Sequence, residues 1–185
     1  MTTASNTLNQ YENIIHSCRD LYLKKAADYG TSWRVLRPVS IVDQIYIKAW
    51  RIRQIQENTV QLIEDSVESE FIGIVNYGII ALIQQQLGAD EQIDLSVEEA
   101  RTYYDLHANA VKELMLKKNH DYGEAWRAMS QASFVDLILV KLLRIRQIIA
   151  NDGRVQVSEG ADANFADIVN YALFALIRIG EERNN

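Results

Sequence analysis

Apolar residues in this chain recur with the three-to-four-residue beat of amphipathic helices, in stretches separated by polar or glycine-bearing breaks. The first stretch covers about 7–27 and has a counterpart at about 96–120. Each ends in a lysine pair, Lys24-Lys25 or Lys117-Lys118, followed shortly by Gly30 or Gly123, which is a helix C-terminal signature. The second stretch starts at Ser40, or at Ser133, and runs about seventeen residues. The third covers about 69–87 and 163–182. Residues 88–95 read as a linker, and Ser96-Val97-Glu98-Glu99 as a capping box that opens the next helix. Between second and third helices, segments 59–62 and 154–157 alternate in a way that admits a short β-ribbon, and Asn151-Asp152-Gly153 reads as a turn. A single proline, Pro38, in the whole chain fits long uninterrupted helices better than strands.

The pattern occurs twice. Asp28-Tyr29-Gly30-Thr31-Ser32-Trp33-Arg34 returns as Asp121-Tyr122-Gly123-Glu124-Ala125-Trp126-Arg127. SIVDQIYIKAWRIRQI from Ser40 returns 93 positions later as SFVDLILVKLLRIRQI from Ser133, and FIGIVNYGIIALI from Phe71 returns 94 positions later as FADIVNYALFALI from Phe165. The offset changes in the loop expected between the last two blocks. Fold class is therefore all-α, a tandem duplication of a three-helix unit, residues 1–88 and 89–185. Three helices of this length bury little alone, so the copies are expected to share one core as a pseudo-two-fold bundle.

Composition narrows the function classes. A net charge of -6 lacks the basic footprint of a general nucleic-acid binder, while leaving room for a small phosphorylated ligand held by local cations. One cysteine, Cys18, excludes an internal disulfide framework. Without a signal-peptide pattern or an apolar run of roughly 18 residues, the expectation is a cytoplasmic chain that does not engage a membrane. The duplicated pattern also admits a homodimer.

Candidate chemistry sits on the second and third helices. At 100° per residue from Asp43, the isoleucines 41, 45, 52 and 55 fall between about 120° and 200°, and Lys48 lies among them at about 140°. Lys141 takes the same place in a helix that is apolar on nearly every side, with Arg144 close by. Buried cations need a carboxylate or an anion as partner, so Lys48, Arg51, Lys141 and Arg144 are either phosphate ligands or halves of structural ion pairs. Asp43 and Asp136 suit helix capping or a metal. On the third helix Glu70, Gly73 and Tyr77 share a face, as do Asn164, Asp167 and Tyr171, with Asn76 and Asn170 beside them. Core hydrogen bonding competes with ligand contact for Asn76, Tyr77, Asn170 and Tyr171. Trp33 and Trp126 serve either as packing anchors or as base-stacking platforms.

The motifs Lys-Lys-x-x-Asp-Tyr-Gly-x-x-Trp-Arg, Asp-x-x-x-x-Lys-x-x-Arg-Ile and Ile-Val-Asn-Tyr resemble those of the nucleotide modification associated domain 1 family, in two passes over nearly the whole chain. That resemblance implies an association with nucleotide or base modification. The arrangement is more remotely similar to the all-α nucleoside triphosphate pyrophosphohydrolases of the MazG kind, which hold Mg²⁺ with acids on adjacent helices. What this implies is a Mg²⁺-dependent site in which Asp43, Glu70, Asp136 and Asp167 hold the metal and orient water. Lys48, Arg51, Lys141 and Arg144 would then neutralise phosphate charge. The alternative is a non-catalytic helical adaptor or oligomerisation module with an internal ion-pair network.

Overall fold

The computed structural model describes residues 3–58, 66–88, 94–157 and 159–183. The first unit consists of α1 (Thr3–Tyr29), α2 (Pro38–Glu57) and α3 (Val67–Leu87), and the second of α4 (Val97–Tyr122), α5 (Gln131–Ala150) and α6 (Ala161–Arg183). A one-turn 3-10 segment follows α1 and another follows α4, Ser32–Val35 and Ala125–Ala128, each carrying its tryptophan. Among the described residues there is no strand: 154–157 is irregular, and 59–62 lies outside them.

The helix ends refine the sequence reading. Gly30 and Gly123 close α1 and α4 with positive φ, and their N–H groups donate to the carbonyls of Ala26 and Asn119. Ser96 and Glu99 form both halves of the expected capping box. The second helices start earlier than Ser40 and Ser133. Pro38 occupies the first turn of α2, where its missing N–H costs nothing, and the Ser130 side chain caps α5 by accepting from Ser133 N–H. Asp43 and Asp136 are thus a full turn inside their helices and do not cap them.

α3 and α6 lie against each other at the centre, flanked by α2 and α5, which also touch each other. α1 and α4 pack together and cross to the opposite unit, α1 onto α6 and α4 onto α3, as well as onto their own. A core of buried side chains runs through both halves, with Phe71, Ile74, Ile79 and Ile83 of α3 and Phe165, Ile168 and Leu173 of α6 among its members. Each fully buried residue of this kind contributes about 1.5–3 kcal/mol relative to exposure. Close approach at the centre depends on Gly78, where a Cβ would meet Val169 Cγ2 at 2.5 Å. α3 is apolar enough by length and composition to cross a membrane, with an 18-residue window of mean hydropathy 1.2, but 67% of that window is buried within the protein.

The two-fold relation extends to single hydrogen bonds. Asn76 Nδ2 donates to the carbonyl of Cys18 at 3.0 Å, and its Oδ1 accepts from Tyr104 Oη at 2.9 Å. Asn170 Nδ2 donates to the carbonyl of Val111 at 3.3 Å, and its Oδ1 accepts from Tyr11 Oη at 2.8 Å. In each case the asparagine binds the first helix of its own unit and a tyrosine from the other. Burial pushes both tyrosine hydroxyls well above their usual range, so they act as neutral donors.

Candidate functional site in the first unit

Lys48 and Arg51 are three apart on α2, so both point along one face toward the start of α3. Glu70, in the first turn of α3 and 5% exposed, receives both: Lys48 Nζ lies 3.2 Å from Oε2 and an Arg51 guanidinium nitrogen 2.6 Å from Oε1. The helix N-terminus adds favourable potential for this carboxylate. Its second-unit counterpart is Asn164, and the acid has moved one turn on, to Asp167 in place of Gly73. Asp167 draws in a different pair, with Lys118 Nζ 2.5 Å from Oδ1 and Lys141 Nζ 2.7 Å from Oδ2. Burial works against the Lys118 charge, but the hydrogen bond it donates to Asp167 outweighs it and holds the ammonium above its ordinary range.

Where Gly73 stands in the first unit, the Lys48 stem lies across the bare backbone: a Cβ on Gly73 would come within 2.7 Å of Lys48 Cε. Beside it opens a cavity of about 560 Å³ between the end of α1, the Trp33 turn, α2 and α3. Its lining mixes aromatic and apolar side chains, Tyr22, Tyr29, Trp33, Tyr77 and Ile80, with the polar Lys25, Gln44, Lys48, Ser69, Glu70 and Asn76. Lys25, the equivalent of Lys118, has no acidic partner among the described residues. The indole N–H of Trp33 and the hydroxyl of Tyr22 approach each other at the cavity wall without closing a well-directed hydrogen bond, and neither has another protein partner. Their residues are 9% and 4% exposed. Both atoms are shielded from solvent beside a volume the size of a small-ligand pocket.

The structure gathers Trp33, Lys48, Glu70, Asn76 and Tyr77 around this cavity, with Arg51 behind Glu70. It does not gather the other predicted residues there. Asp43 accepts from Arg146 at 2.6 Å and Asp136 lies 3.6 Å from Arg53, an equivalent pair of bridges between α2 and α5. Arg144 is exposed, contrary to the expectation from its apolar helix, because its acidic partner has become Asn164 and nothing holds it inward. Lys141 is only 12% exposed and does have the carboxylate partner that its position requires. Trp126 stacks on Phe174 at 4.3 Å between ring centres, beneath the Arg127 guanidinium. Tyr171 is half-buried, its hydroxyl raised by burial and by Asp167 against Lys118 and Arg144.

The four acids Asp43, Glu70, Asp136 and Asp167 do not fit a shared Mg²⁺ centre. Two are spent on arginines at the α2–α5 contact and two are each saturated by a pair of cations. Among the described residues no group of three or more His, Cys, Asp or Glu side chains is placed to hold a metal ion. Cys18 is equally removed from chemistry, since burial pushes its thiol up to about 12.

Lys25 and Lys118 were legible only as a helix-end signature, and their second role needed the register of α1 against α3. The same holds for Arg127, which ties Glu124, Thr7, Gln10 and Glu181 together at the far end of the bundle. Burial would raise the Glu181 carboxyl, but hydrogen bonds from Gln10 and Arg127 prevail and hold it below its usual value. Comparison with known proteins finds residues 25–85 and 118–179 matching the family described as nucleotide modification associated domain 1. No curated protein and no solved structure matches the chain.

Proposed function

Because this chain belongs to the nucleotide modification associated domain 1 family in both of its units, we propose that it is a nucleotide-binding protein whose ligand enters the first-unit cavity. The observation that carries the reading is that tyrosines and two lysines line the same cavity of small-ligand size. A nucleobase offers a flat face to Tyr29 or Tyr77. A phosphate end suits Lys25 and Lys48. Triphosphate hydrolysis through Mg²⁺ draws less support, because the acids it requires are dispersed.

The second unit fits the adaptor reading instead. Asp167 closes its lysine pair, and the α2–α5 bridges are structural. We therefore assign ligand binding to the first unit and scaffolding to the second. A melting-temperature screen of the full chain against nucleosides and nucleotides, with and without Mg²⁺, tests this. A ligand at a hundredfold excess over its Kd stabilises by about 2.7 kcal/mol, which a melting curve resolves easily. If no nucleoside or nucleotide shifts the transition, the nucleotide reading falls and the adaptor reading takes both units.

A further inference from the structure

The two units serve as each other's comparison structure. In the second, a carboxylate bridges two lysines with one oxygen to each, Lys118 at 2.5 Å and Lys141 at 2.7 Å. In the first, the equivalent lysines Lys25 and Lys48 both line the cavity, but glycine stands where the aspartate would be. Lys48 leans instead to Glu70, at 3.2 Å, and Lys25 has no acid. Each unit carries three cations for one acid at this place: Lys25, Lys48 and Arg51 with Glu70, and Lys118, Lys141 and Arg144 with Asp167. The difference is where the unneutralised cation ends up. In the second unit it is Arg144; in the first it is Lys25, also exposed, which lines the cavity beside Lys48.

Resting on the nucleotide reading above, we propose that Lys25 and Lys48 form an oxyanion subsite over Gly73. In it a phosphate monoester takes the place that the Asp167 carboxylate holds in the second unit, without a bridging metal. Asp167 is then a built-in occupant, a side chain that permanently fills the anion position of its own unit. A phosphate monoester carries about -1.5 to -2 charges near neutral pH and has terminal oxygens to spare for two ammonium groups. The ligand class proposed is a nucleoside monophosphate, its base against the cavity's tyrosines. Gly73 is a helical position with no special φ, and the three atoms nearest a Cβ added there all belong to the flexible Lys48 side chain, which can give way to an aspartate.

Binding calorimetry on the full chain in EDTA, with nucleoside 5′-monophosphates, the parent nucleosides and inorganic phosphate as probes, tests the subsite. A monophosphate should bind one per chain, and Lys25→Met should weaken it at least tenfold while leaving the melting temperature of the free protein unchanged. Gly73→Asp should remove binding and raise the melting temperature, reproducing the closed second unit. The reverse exchange, Asp167→Gly with Asn164→Glu, should raise the stoichiometry from one to two. Undiminished binding by Lys25→Met would overturn the subsite even if Gly73→Asp fails to fold. In a second titration with Mg²⁺ in place of EDTA, binding of a nucleoside triphosphate alone, undiminished by Lys25→Met, would also overturn it while leaving the nucleotide reading in place. No binding of any nucleotide would remove both.

Discussion

Glu70 and Asp167 perform the same electrostatic task on equivalent helices, one turn apart, and the turn decides what each unit can do. Glu70 sits at the tip of α3 and takes Lys48 and Arg51, both from α2. Asp167 sits one turn deeper and takes Lys141 from α5 and Lys118 from α4, which pins two helices to a third. The first arrangement leaves a cavity between α1 and α3; the second ties α4 to α6 through Lys118. A buried acid with two cations is satisfied in either case, so the requirement that buried charge be paired does not choose between them. Choice of partner does.

The largest effect that would break this comparison comes from removing the acids. Asp167→Asn leaves Lys141 12% exposed and without its carboxylate, and should cost about 3–5 kcal/mol in chemical denaturation. Glu70→Gln should cost clearly less, because Lys48 and Arg51 are 26% and 25% exposed and can turn to solvent. Equal losses would show that the two clusters contribute alike and that Asp167 is no special brace.

A smaller effect sharpens the part of the comparison in which the units agree. Tyr104→Phe and Tyr11→Phe each strip one donor from a buried asparagine, Asn76 or Asn170, and each should cost about 1–3 kcal/mol. The two values should lie close together, since both bonds are buried and nearly the same length. A marked inequality in the unfolding free energies would show that the two-fold relation is looser at the centre than its geometry indicates.

The smallest effect is the share that Lys118 adds to an alkaline loss of stability, to which buried tyrosines raised in the folded state, such as Tyr11 and Tyr104, also contribute. Lys118 has a raised folded-state value, so its contribution is fully present below its unfolded value near 10.5 and is lost as pH rises through the folded one. Melting temperature should therefore fall above about pH 10.5, and the fall should be shallower in Asp167→Asn, where the partner is gone. Identical alkaline slopes for the two proteins would remove Lys118 as a source.

Much of the fold was legible because it depends on local and repeated signals. Apolar periodicity marked the six helices, Gly30 and Gly123 their ends, and the duplicated blocks the two-fold relation. The site was less so. Lys48 stands out from its place in an apolar stripe and Glu70 from the face it shares with Tyr77, whereas Asp43 and Asp136 read as helix caps or, through the resemblance, as metal ligands. Their actual partners, Arg146 and Arg53, lie on the other unit's helix, and no within-unit spacing points to them. Lys25 escaped because helix-end lysines are common and its meaning depends on what α3 lacks opposite it.

The tyrosine–asparagine bonds carry one more consequence. Each crosses from one unit to the other, so a chain holding a single unit could complete them only by meeting a second chain. Fusion replaces that encounter with an intramolecular one, at an effective concentration in the millimolar range for a short connection. Assembly then no longer depends on how much protein the cell holds. It also frees the halves from identity: two separate copies of one unit must share every residue, while a fused pair can keep an open pocket in one half and brace the other.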